Sequence, residues 1–218
     1  SPTGAMTVRS AWGDADAWMT YMHIDEAYGA NHDHKDAGTF QLHYKGMLLQ
    51  NSQWYDSYGS VIDYGYNKQT ISNNGLLIYN PRYANESGFI YSGGQTTQGQ
   101  SNRENSTLDE WLSKSTSHQA KVLGYSYAYD ENGEVIYGYI SGDITNAYDQ
   151  DTVDLVKRSM ISIATGDEDH PLLFIVHDRI VSDDASFKKT FLLHVAEQPT
   201  ASGNVTVITN TQGNNNGK

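Results

Sequence analysis

Apolar and polar residues alternate in short runs along the whole chain, the period-two pattern of half-buried strands. Phe40, Leu42 and Tyr44 set against Thr39, Gln41 and His43 are the clearest case. The same pattern predicts strands over 76–79, 122–129, 135–140, 155–163, 172–177, 191–195 and 205–208. Between two Tyr-rich runs, Asp130-Glu131-Asn132-Gly133 supplies residues that tolerate positive φ, so 125–139 is expected to be a hairpin. Helix signal is sparse. Thr107 and Glu110 have capping-box spacing ahead of Trp111 and Leu112, which predicts one short helix over 108–114.

These elements imply an all-β fold, an antiparallel two-sheet β-sandwich with one short helix. A single domain over 1–203 is expected, followed by a last strand and a disordered Asn/Gly-rich tail over 204–218. The run Gly93-Gly94-Gln95-Thr96-Thr97-Gln98-Gly99-Gln100 has almost no apolar content and is expected to be a long surface loop.

Composition narrows the partners. Only 18% of residues are charged, 16 are Tyr and 20 are Gly, and the net charge is -12. Nucleic acid and anionic membrane surfaces demand a basic footprint that this chain lacks. No apolar run approaches the length of a membrane span. The absence of Cys removes disulfides and thiolate metal sites. Any site for a polyanion must be a local cluster of His, Arg, Asn and Tyr inside an acidic envelope.

The densest chemistry lies in Asn31-His32-Asp33-His34-Lys35-Asp36. On an extended segment, two His one residue apart point the same way and are able to share a metal, a substrate carboxylate or a proton relay. Spacing alone serves a pair of solvent-facing strand residues equally well. Elsewhere the spacing favours plainer readings. His43 is expected on a solvated strand face and His194 at the core edge with a backbone partner. Asp178-Arg179 reads as a structural pair at a strand end, and Asp149, Asp151 and Asp154 as a solvated turn lacking the Gly and Glu of a calcium loop. Most of Tyr55, Tyr58, Tyr64 and Tyr66 read as packing residues, although aromatic faces near the His pair also suit sugar stacking.

The segments NHDHKDAGTFQLHYKG over 31–46, WYDSYGS over 54–60 and QTISNNGLLIY over 69–79, with GDITNAY over 142–148 and KKTFLLH over 188–194, resemble the β-sandwich domain of heparinase II/III-type polysaccharide lyases. That resemblance implies a secreted or periplasmic bacterial carbon–oxygen lyase that cleaves uronic-acid-containing polysaccharides by β-elimination. It implies that His32, beside the substrate, is the catalytic contribution of this domain; Asn31 as its neighbour and Tyr58 as an aromatic face near the His pair are expected to bind substrate. The base and its partners would come from an N-terminal helical domain, so the isolated chain is expected to be inactive. It also implies that His34 matches a zinc ligand. The two other ligand positions read Asn51 and Asn73, whose neutral carboxamides are weak zinc donors, so no tight zinc is expected. A polar core in which His34 bonds these Asn side chains is the expected substitute. A different ligand set would join Asp36 to His32 and His34. The competing function is a non-catalytic glycan-binding or structural module with a degenerate metal site.

Overall fold

A computed structural model describes residues 4–27, 32–54, 57–83, 93–96, 107–113 and 118–211. Among them the chain is mostly strand, arranged in antiparallel sheets with one short α-helix, a sandwich-like all-β fold. The first sheet is a meander of β1 (Ala5–Arg9), β2 (Met19–His23), β3 (Phe40–His43) and β4 (Met47–Leu49) in that spatial order. The second is a longer meander of β6 (Lys121–Tyr129), β7 (Val135–Asp143), β8 (Val153–Ala164) and β9 (Leu172–Ser182). Two small sheets complete the set: β5 (Leu76–Tyr79) with β10 (Lys188–Phe191), and β11 (Thr200–Ser202) with β12 (Val205–Val207). The β11–β12 pair brackets Gly203, so the boundary drawn after residue 203 falls in a hairpin turn.

The two large sheets meet face to face because their inward positions are apolar at alternate residues. Met22 and Phe40 from the first sheet, with Ile24 just past β2, join Ile140, Val156 and Met160 from the second in one core. Two glycines let the layers approach. A Cβ on Gly138 would lie 2.3 Å from Val8 Cγ2, and one on Gly142 would lie 2.4 Å from Ile24 Cγ2. Gly in a strand often marks such a close approach.

Arg158, an inward residue of β8, is 1% exposed. Its guanidinium makes a bidentate pair with Asp178, at 2.7 and 2.9 Å, and also donates to the Gly38 and Asn74 carbonyls at 2.7 and 3.3 Å. Buried charge is tolerated where it is paired and most of its donors are matched in this way. The partner of Asp178 is thus Arg158 on the neighbouring strand, and not Arg179. Asp178 lies within β9 with its side chain inward, while Arg179 projects from the opposite face.

The predicted hairpin and helix form. Asp130 closes the turn by accepting from the Asn132 and Glu134 amides, and Gly133 takes φ +80°. The helix α1 (Leu108–Ser113) carries the reciprocal capping box, with the Thr107 amide donating to Glu110 at 2.8 Å and the Glu110 amide to Thr107 Oγ1 at 3.2 Å.

Two expectations need correction. The strand placed over 191–195 runs instead over Lys188–Phe191, because its partner β5 ends its register at the Phe191–Leu76 pair. The stretch 93–96, expected on the surface, is partly core. Gln95 is 2% exposed and clamps Ala37 from both sides, its Oε1 accepting from the amide at 3.0 Å and its Nε2 donating to the carbonyl at 2.7 Å. Gly93, at φ +85°, lies where a Cβ would come within 2.6 Å of the Ile78 carbonyl. Residues 97–100 and the tail after 211 lie outside the described residues.

Candidate functional site

The segment holding His32 and His34 is not a strand; extended pairing begins only at Phe40. It is a loop fastened at several points. The Lys35 amide donates to the Lys68 carbonyl at 3.0 Å, and Thr70 Oγ1 donates to the Lys35 carbonyl at 2.8 Å. Gln95 and Arg158 hold Ala37 and Gly38 as described above. The Lys35 ammonium is buried and donates to Gln69 Oε1 at 3.0 Å; burial holds its pKa below the ordinary value. These ties fix the backbone between the two histidines and the sandwich.

Opposite this loop, a π-helical turn over Asp63–Asn67 presents aromatic rings. Ser60 Oγ accepts from the Asp63 amide at 3.0 Å, and the Asp63 carboxylate takes the Gly59 amide at 2.9 Å and the Lys68 ammonium at 2.8 Å. Asp63 and Lys68 are both 6% exposed, so the ion pair forms the floor of the cluster. The Lys68 ammonium lies 4.4 Å from the Tyr58 ring centroid and 4.5 Å from that of Tyr64, within cation–π range of both. The His32 ring packs on Tyr58 with centroids 4.9 Å apart. π-Helical turns are frequent at functional sites because they re-aim side chains out of helical register.

The structure therefore brings the His32 and Tyr58 rings together, while Asn31 lies outside the described residues. Tyr58, Tyr64 and Tyr66 are 49%, 46% and 37% exposed, so they are not strand packing residues. The helical turn rotates Tyr64 and Tyr66 outward where strand alternation would bury them, and Tyr58 lies in the turn before it. The hydrogen bond between the Tyr58 and Tyr64 hydroxyls, and then desolvation, push the Tyr58 phenol above its ordinary pKa. It stays protonated near neutral pH, which suits donation to a sugar oxygen and not proton abstraction.

His34 faces the interior side of the same cluster. Gln53 Nε2 donates both to His34 Nδ1 at 2.8 Å and to Asn73 Oδ1 at 2.9 Å, so the expected His34–Asn73 contact is bridged by Gln53. Asn51 turns away and accepts from Thr39 Oγ1 at 3.3 Å. Burial, and then the Lys68 charge, hold the His34 pKa below its ordinary value. As a zinc site this set does not fit: one imidazole nitrogen already takes an amide proton, and both remaining donors are neutral carboxamides engaged elsewhere.

Asp36 joins neither His32 nor His34. With His23 and Asp25 it forms a group whose ligand atoms lie within 4.8 Å of one another. The two carboxyls share a hydrogen bond. Desolvation, and then the charge of Asp36, push Asp25 up to about 8; desolvation, and then the charge of Asp33, push Asp36 up to about 7. The Gln119 side-chain amide also donates to Asp25. This arrangement is that of a proton-sharing acid pair beside an imidazole.

His194 and Asp149 are held by contacts within the fold. The His194 amide donates to Asn74 Oδ1 at 2.7 Å and its ring meets the Ile71 backbone, while its buried Nδ1 lacks a partner among the described residues. Asp149 Oδ1 closes its own turn by accepting from the Asp151 amide at 2.9 Å and from the Tyr83 hydroxyl at 3.1 Å.

Sequence reasoning missed Lys68, Asp63 and Gln53. None stands in a periodic pattern: Asp63 and Lys68 lie on the π-helical turn and its C-cap, and Gln53 on the segment before it. Among the described residues, no helix is long and apolar enough to cross a membrane. A scan against protein-family models found no match to this chain, and a search of curated proteins found none either.

Proposed function

We propose that this chain is the β-sandwich part of an extracytoplasmic polysaccharide lyase that cleaves uronic-acid polymers by β-elimination. The observation that carries the reading is the apposition of His32 and Tyr58 on an exposed face above the Lys68 ammonium. β-Elimination needs the uronate carboxylate neutralised, a base at the adjacent carbon and a proton for the leaving oxygen. In this reading His32 neutralises the carboxylate or relays a proton, Tyr58 stacks on or hydrogen-bonds the sugar, and the base comes from a helical domain of the parent protein. The motif resemblance over 31–46 and 54–60 supports the same assignment.

One observation favours a second reading, a glycan-binding module without catalysis. Lys68 is committed to Asp63 and His34 to Gln53, so the cluster offers groups that hold a ligand more readily than groups poised to move a proton. A panel of uronate polysaccharides separates the two, with formation of the unsaturated uronate product followed in the parent protein. Under the lyase reading, His32→Ala lowers kcat by about 100-fold or more with the fold intact. Binding without product by the parent protein supports the module, and full activity in the variant removes His32 from the mechanism.

A further inference from the structure

At the other edge of the first sheet lies a groove of about 660 Å³, in the size range of ligand pockets. It arises from an offset between the layers. β1 is the edge strand of its sheet, and its Val8 sits over Gly138 of β7. The next strand of the second sheet, β6, therefore extends past β1 with nothing described above it. Tyr127, the register partner of Gly138, stands at that step, with Tyr125 and Tyr129 on either side of it. The three rings are 64%, 62% and 58% exposed in chain order, and Trp12 across the groove is 86% exposed. Arg9 stands beside it, its guanidinium 5.1 Å from the Trp12 ring centroid and anchored on the Ala11 carbonyl.

Charge selects the occupant. The whole chain carries 26 acidic residues and a net charge of -12. None of the described residues lining this groove is Asp or Glu, and Arg9 is its one cation. An acid-free, aromatic window with a preorganised guanidinium suits a chain whose flat faces stack on rings and whose carboxylates pair with Arg.

We propose that the β1–β6 groove is a second glycan-binding site, taking an acidic oligosaccharide whose sugar faces lie on Tyr125, Tyr127 and Trp12 and whose uronate carboxylate meets Arg9. The choice of a uronate chain rests on the function proposed above; the groove and its offset do not. The site lies at the β1 edge, whereas the Gln53–Asn73 segment of the His32 cluster leaves from β4, the opposite edge of the same sheet. It holds a polymer away from the reacting bond.

The test follows the indole N–H resonance of Trp12, assigned with Trp12→Phe, while the whole chain is titrated with a short oligouronate or with a neutral β-glucan oligosaccharide of the same length. The oligouronate is expected to move the resonance saturably and the neutral sugar much less. Tyr127→Ser, at a solvent-exposed ring, is expected to weaken the oligouronate by about tenfold or more. Arg9→Gln is expected to erase the preference over the neutral sugar. His32→Ala must leave this titration unchanged, and its activity in the parent protein reports the lyase reading separately. A Trp12 resonance that moves with neither sugar overturns the proposal. Equal response to both overturns the uronate assignment. Sedimentation showing that copies associate through β1, with Trp12 buried in the dimer, also overturns it by making the groove an interface between copies.

Discussion

His34 and His23 each sit half-buried between two polar partners, yet their surroundings set opposite chemistry. His34 is joined through the Gln53 amide to Asn73, all neutral groups, with the Lys68 ammonium nearby. His23 lies 3.7 Å from Asp25, which in turn bonds Asp36. The first set favours a neutral imidazole and offers no anion to a metal. The second concentrates carboxyls until they keep a proton that carboxyls in water would lose. What a histidine does here follows from whether amides or acids complete its neighbourhood, more than from its spacing to the next histidine.

The largest effect is expected from Asn73→Leu. Asn73 is fully buried, and its amide bonds the Gln69 carbonyl at 2.9 Å while its oxygen takes the Gln53 amide. Leucine strands these buried groups, at roughly 2 to 4 kcal/mol. Chemical denaturation should show the loss; an unchanged midpoint would mean that the amide link carries no stability.

The acid pair should make stability depend on pH. Because the folded pKa values of about 8 and about 7 lie above ordinary carboxylate values, the folded state binds more protons than the unfolded state. The stabilisation is fully present below about pH 4, and is lost as pH rises through 7 and 8. Asp25→Asn removes the competition and should raise stability by roughly 1 to 3 kcal/mol at pH 9, with little gain at pH 4. Parallel pH profiles of variant and wild type would refute proton sharing.

A smaller expected shift separates the two histidines as metal sites. EDTA should move the melting temperature by less than about 1 °C, since no zinc-competent donor set surrounds His34. About one zinc per chain by elemental analysis would contradict this and direct attention to His23, Asp25 and Asp36. A modest effect is expected at Gln53→Ala, at about 1 kcal/mol or less. Because Gln53 donates to Nδ1, it favours the neutral ring, so its loss should raise the His34 pKa in an NMR titration. A lowered pKa would reverse the sense of that hydrogen bond.

Alternation along the chain makes the long strands β6 to β9 legible, because each carries enough inward apolar residues to show its period. The capping box at Thr107 and Glu110 and the Asp130–Gly133 turn are legible because their chemistry is local. The short strands β1, β2, β4 and β11 escape, since Ala5–Arg9 or Met47–Leu49 offers too few alternations. The contact of His32 with Tyr58 is not specified by the sequence pattern; only the nearness of Tyr-rich positions to the His pair is legible. The Gln53 bridge and the Asp25–Asp36 pair join segments apart in sequence, and the Asp63–Lys68 pair spans a single π-helical turn that has no pattern of its own. Arg158 is a contact of the same kind: nothing in the alternation around it points to its Asp178 and carbonyl partners.

The clamp that Gln95 closes on Ala37 bears on how the molecule breathes. Ala37 lies in a loop, where amide hydrogens ordinarily trade with solvent quickly. Here its N–H is held by a side chain that is itself buried, between the histidine loop and the strand that follows. Its exchange should track the rare opening events of the sandwich instead of the fluctuations of its neighbours. The loop that presents His32 would then open only as part of a larger cooperative unit, carried by one amide from a stretch of sequence made almost entirely of Gly, Gln and Thr.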